Sequence, residues 1–325
     1  MSPLSSTALR ETFSSKTVVL REVGLREAIQ AQPKEVATDT KARWVRQLMG
    51  AGYTEINPVS FVSPKAMPQM ADAESLLAQI ADAIPPGTRL SGLAPNQRGV
   101  DRAIAARERE HLHEAIMVTA ATSSTLRNNG MTADLDARMA EIERWSALCK
   151  EADLGVIVFI SAAFGCSIEG RVEPDVVLDQ AEKLDRLEAV DEIVISDSTG
   201  QADPVQVHGL LTQLASAVSA DRRLGLHFHD SRGAGLANIV GALLSPFDQL
   251  VFDTAFGGWG GDVPFIPEAA GNVSSEDVAE MIMGMGFDVG IDIEQVIEVT
   301  DEAARAMDLT SRSRVADTGP VKWKM

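Results

Sequence analysis

The chain has 325 residues, 45% of them apolar and 23% charged, which is enough for a substantial core and too long for one small domain. A formal net charge of −18 excludes the basic footprint that nucleic-acid binding requires. Two cysteines, Cys149 and Cys166, cannot build a disulfide framework, and no apolar run approaches the roughly 20 residues that span a bilayer.

The opening residues are polar and lack the apolar centre of a signal peptide, so residues 1–15 read as a disordered leader. A cytoplasmic protein is expected. Short apolar or β-branched runs then begin at Thr17 (TVVLREV), Thr54 (TEINP), Arg89 (RLSGL) and Glu114 (EAIMVT). Four more follow at Gly155 (GVIVFI), Glu192 (EIVIS), Leu224 (LGLHF) and Gln249 (QLVFD). Between them lie stretches with apolar residues at three- and four-residue spacing, such as ADLDARMAEIERWSALCKEA and PVQVHGLLTQLASAVSA. Pro204 suits a first helical position, with Asp203 as its cap.

Apolar strands that alternate with helices indicate parallel pairing with both faces covered. Eight such units, of about 30 residues each, predict a single (β/α)₈ TIM barrel over 16–325. No GxGxxG follows the first strand, so the sequence does not support a dinucleotide-binding domain. IEQVIEVTDEAARAMD predicts one further C-terminal helix. Two placements stay open for it: closing the barrel floor, or packing on another subunit.

Chemistry in such a barrel belongs at the C-terminal ends of the strands. His227 and His229 stand where the seventh strand ends, and residues two apart on a strand share a face. The pair reads either as a two-nitrogen metal ligand set or as one core and one surface histidine. Other strand ends present Arg26 and Glu27, Asp197, and a glycine-rich loop with Asp262, Glu268 and Asn272. Imidazole nitrogens with carboxylate or amide oxygens suit Mn²⁺, or Mg²⁺ that keeps bound waters.

REVGLREAIQ, SFVSPKAMPQM, APNQRG, FGCSIEG, SDSTG, LHFHD and AAGN occur in the order and spacing of the 3-hydroxy-3-methylglutaryl-CoA (HMG-CoA) lyases. The chain resembles that metal-dependent family from about Lys16 to the C-terminal helix. The resemblance implies that Glu27, His227, His229 and Asn272 bind the divalent ion. It implies that Arg26 stabilises an enolate-like oxygen and that Asp197 helps to move the hydroxyl proton. It puts Gln30 and Asn129 near the substrate and Asn57 where the family carries a glutamate; SFVSPK reads either as a turn and helix start after the second strand or, with Lys65, as the border of an acyl-CoA channel. Family members often form dimers, so a homodimer is expected.

The departures cluster at the same places. The family motif GPRDGLQ reads GLREAIQ here, so a ligand aspartate becomes Glu27, flanked by Leu25 and Ala28. The additional methylene moves a carboxylate by roughly 1–1.5 Å. The family loop GGCPYAxGASGN reads GGDVPFIPEAAGN, one residue longer and without the proton-shuttling cysteine. Asp262 is the nearest ionisable replacement; Cys166 belongs to another strand end. These changes point to carbon–carbon lyase chemistry on an altered hydroxyacyl-CoA or hydroxy acid. Two alternatives are a related condensation and a barrel that binds metal or ligand without catalysis.

Overall fold

The computed structural model describes residues 12–261 and 271–322. Eight parallel strands close into a barrel: β1 Thr17–Glu22, β2 Glu55–Ser60, β3 Arg89–Leu93, β4 Glu114–Ala120, β5 Gly155–Ser161, β6 Glu192–Asp197, β7 Arg223–Phe228 and β8 Gln249–Thr254. Every expected strand occurs where its apolar run placed it. Neighbours in sequence are neighbours in the barrel, and β8 returns to pair with β1 along its whole length, from Thr17 opposite Gln249 to Glu22 opposite Thr254.

Both faces of the sheet are covered, which is why the strands read as nearly continuous apolar runs. Inside, Leu93, Ile116, Ile157, Phe159 and Val194 pack against one another as a separate core. Outside, a larger core joins strands to helices. The expected helices occur at Leu135–Glu151 and Pro204–Ala217. Asp203 and Gln206 form a full capping box around Pro204. Among the described residues, no helix is long and apolar enough to cross a membrane.

The C-terminal helix, Ile293–Met307, lies on the flank of the barrel. Its apolar stripe, Ile293, Val296, Val299 and Ala303, is buried, and the helix packs against Thr38–Gly50 and Ser275–Gly284. The floor is instead occupied by charged residues at the starts of strands, Glu55, Glu114, Glu192 and Arg223, which pair across the barrel axis. Residues 1–11 of the expected leader lie outside the described residues. Residues 12–14 form a helical turn, and the Phe13 ring stands 5.8 Å from that of Phe287.

Register decides what reaches the interior. Glu55, Arg21, Asp253, His227 and Ser196 are successive partners across β2, β1, β8, β7 and β6. Parallel partners point the same way, so this row faces the barrel axis. The next residue on each strand, including Glu22, Phe228 and Asp197, faces the helices.

Candidate active site

A cavity of about 230 Å³ opens at the C-terminal mouth of the barrel. Arg26, Glu27, His227 and His229 line one side, and Leu93, Ile116, Val118 and Phe159 form an apolar wall on the other. Ser161, Ser196, Ser198 and Thr199 also line it. The volume suits the reacting end of an acyl group, so the much larger body of a CoA ester would have to extend beyond it.

The short helix Gly24–Gln30 starts one residue after β1, which delivers Arg26 and Glu27 to the mouth. Glu22 fixes that junction from the outer face. Its carboxylate accepts the Gly24 N–H at 2.6 Å and the Phe256 N–H at 3.2 Å, while Ser275 Oγ stands 2.5 Å away. Complete burial pushes Glu22 up to about 8 even against those hydrogen bonds.

Arg26 is only 6% exposed. Its Nε donates to Asn57 Oδ1 at 2.8 Å, and Nη1 forms an ion pair with Glu27. Asn57 precedes Pro58 at a register shift in β2, and its Nδ2 donates to the Ser91 carbonyl at 2.8 Å. The shift follows from Pro58, which has no N–H to give to the ladder.

His227 and His229 bring their Nε2 atoms to 3.2 Å, facing each other. Glu27 Oε1 lies 3.9 Å from His227 Nε2. An antiparallel bridge pairs His229 with Asn272, flanked by hydrogen bonds from Asp230 N to Gly271 O and from Val273 N to Phe228 O. On its other side Gly271 packs directly on the Trp259–Gly260 peptide, where a Cβ would stand 2.2 Å from the Trp259 carbonyl carbon. Burial first, reinforced by the nearby Arg26 guanidinium, holds His229 well below the usual histidine range, so it is a neutral imidazole.

These side chains fit a divalent ion. The two ring nitrogens stand 3.2 Å apart with the Glu27 carboxylate 3.9 Å from one of them, and Asn272 is bridged to His229. Asn272 is buried, and both its amide atoms lack a hydrogen-bond partner among the described residues, as does His229 Nδ1. Unsatisfied buried polar groups cost about 1–3 kcal/mol each, so the fold is built to accept something here. Among the described residues, however, His, Cys, Asp and Glu side chains alone do not form a preassembled group of three. The Glu27 carboxylate is paired with Arg26 instead.

The remaining sequence candidates are placed as follows. Gln30 and Asn129 line the cavity. Asn57 lies beneath Arg26, outside the cavity lining. Lys65 is exposed in the turn after β2 and also lies outside the lining, whereas Met67 enters it. Asp197 faces away from the barrel axis and accepts the backbone N–H groups of Gln201 and Ala202, each at 2.9 Å. Its burial raises its pKa, and those two hydrogen bonds oppose the rise. Asp262 and Glu268 lie outside the described residues. Cys166 is buried apart from the lining, with its sulfur 3.3 Å from Ser124 Oγ.

Two groups at the site were missed in the sequence. Asp253 Oδ2 lies 2.9 Å from His227 Nδ1, and Ser196 is the partner of His227 on β6. The available signal was a charge inside an otherwise apolar strand, QLVFD, at the same height as the HxH pair.

The HMGL-like family model matches residues 17–302. The cytoplasmic 3-hydroxy-3-methylglutaryl-CoA lyase of Rattus norvegicus is 32% identical over 299 residues, covering 92% of this chain and 84% of that protein. The (R)-citramalyl-CoA lyase of Chloroflexus aurantiacus is 31% identical over 314 residues, covering 94% and 96%. An HMG-CoA lyase of Acinetobacter baumannii, solved with coenzyme A and 3-methylmalate, superposes with a TM-score of 0.85 at 30% identity. That match covers 96% of this chain and 98% of the other.

Proposed function

The chain belongs to the HMGL-like family and is a divergent lyase of the HMG-CoA lyase type, and on that premise we propose that it cleaves a carbon–carbon bond in a hydroxyacyl-CoA or free hydroxy acid with a divalent ion. The observation that supports this reading is the convergence of Arg26, Glu27, His227 and His229 on one cavity beside the unpartnered amide of Asn272. Glu27, His227, His229 and Asn272 would hold Mg²⁺ or Mn²⁺, which acidifies a bound hydroxyl and orients the bond to be broken.

In a retro-aldol cleavage, the hydroxyl gives its proton to water at the open mouth of the cavity and its oxygen forms a carbonyl. The electron pair of the broken bond moves into an enolate, which a proton donor then quenches at carbon. Arg26, oriented by Asn57, offsets charge on the enolate oxygen. The apolar wall excludes water from that carbanion equivalent. Asp197 acts through the Thr199–Ala202 turn it holds. Asp262 matches the family cysteine in the loop sequence and is the proposed final acid.

The test is a mass-spectrometric cleavage assay with Mn²⁺ or Mg²⁺, run beside Arg26→Ala. HMG-CoA, citramalyl-CoA and the corresponding free acids would be offered. Product from wild type alone supports the reading and selects the substrate. A folded protein that binds Mn²⁺ yet cleaves none of them would move the assignment to a binding barrel.

A further inference from the structure

An ionic column runs from the barrel floor to the histidine pair. Arg223 Nη1 lies 3.1 Å from Glu192 Oε2, and Glu192 also pairs with Arg21. Arg21 Nε donates to Glu55 at 3.3 Å, while Nη1 approaches Asp253 Oδ1 to 3.4 Å. Asp253 Oδ2 then meets His227 Nδ1 at 2.9 Å. Arg21, Asp253 and His227 are adjacent partners in one register row, and none is more than 3% exposed.

From this geometry we infer that Asp253, oriented by Arg21, is the positioning residue of the candidate metal site: it holds the His227 proton on Nδ1 and turns the Nε2 lone pair toward His229 and Glu27. The inference rests on the metal reading above. A carboxylate only accepts hydrogen bonds, so the nitrogen facing it must carry the hydrogen. In a neutral ring the other nitrogen then presents a lone pair, as a ligand must. Arg21 supplies the compensating charge that a buried carboxylate requires, while Glu55 and Glu192 keep the guanidinium from turning away. Without this constraint, a ring flip or the other tautomer would place an N–H where the ion is expected.

Selective ¹⁵N-histidine labelling with long-range ¹H–¹⁵N spectra reads the tautomer directly, with His227 assigned by comparison with His227→Gln. Metal-free wild type is expected to show Nδ1–H on His227. In Asp253→Asn the amide can donate to Nδ1 instead. We expect the proton to move to Nε2 and Mn²⁺ affinity, measured by calorimetry, to fall by about 10- to 100-fold. A folded Asp253→Asn protein with unchanged tautomer and Mn²⁺ affinity within threefold of wild type would overturn the inference. If Asp253→Asn fails to fold, the wild-type spectrum still decides: an Nε2–H tautomer, or an even mixture, refutes the assignment. Failure of wild type to bind Mn²⁺ would refute the metal reading, and with it Asp253 as part of a metal site. An Nδ1–H signal would then show only the local hydrogen bond.

Discussion

Arg26 and Asn57 are joined by a 2.8 Å hydrogen bond inside the barrel, and Asn57 is itself tied to the Ser91 carbonyl. The residue at the position of a family glutamate therefore orients the guanidinium from below. A hydrogen bond to a charged group contributes about 1.5–3 kcal/mol, so Asn57→Ala should lower kcat by about 10- to 100-fold. Asn57→Asp keeps the acceptor and should recover most of the loss. Steady-state kinetics on the substrate found in the cleavage assay would check both, and an unaffected Asn57→Ala would remove the orienting role.

Asp197 and Ser196 are adjacent in sequence but face opposite ways. Asp197→Asn exchanges a charged acceptor of two backbone N–H groups for a neutral amide. Its main effect should be on stability, with a cost of about 1–3 kcal/mol. Ser196→Ala sits in the cavity lining and should instead raise KM with little change in melting temperature. Thermal melts and kinetics on the pair separate the two roles; a catalytic collapse in Asp197→Asn without destabilisation would restore it to the chemistry.

Glu22 predicts an unusual pH dependence. Burial raises its folded pKa to about 8, above the ordinary value of 4.5. The folded state therefore binds more protons than the unfolded state between those values, and stability falls as pH rises. The contribution is fully present below about pH 4.5 and is lost as pH passes through 8. Glu22→Gln should flatten the decline in melting temperature between about pH 4.5 and 8. An equal slope in the variant would assign the decline to another group.

Gly225 leaves room for the ionic column. A Cβ at this position would lie 2.4 Å from Glu192 Oε1 and 2.7 Å from Val194 Cγ2. Gly225→Ala must displace Glu192 from its arginine partners, and overpacking of this kind costs about 1–3 kcal/mol. A loss of several degrees in melting temperature is expected, and a neutral result would mean that the floor can rearrange without penalty.

The sequence by itself determined the barrel. Eight apolar runs at regular intervals, with amphipathic stretches between, leave few ways to bury both faces of each strand, and all eight strands formed where the runs stood. It also brought Arg26, Glu27, His227 and His229 forward, because strand ends in this architecture share one mouth. What only the tertiary structure decided is which way each strand-end residue points and what stands behind it. Asp197 looked equivalent to its neighbours until the register put Ser196 on the inside. Asp253 and Arg21 lie 232 positions apart (253 − 21) and become partners only when β8 closes against β1. Side-chain direction on a strand reverses at every residue, so a shift of one position exchanges cavity for core, and strands that are apolar on both faces lack the alternation that would mark their register.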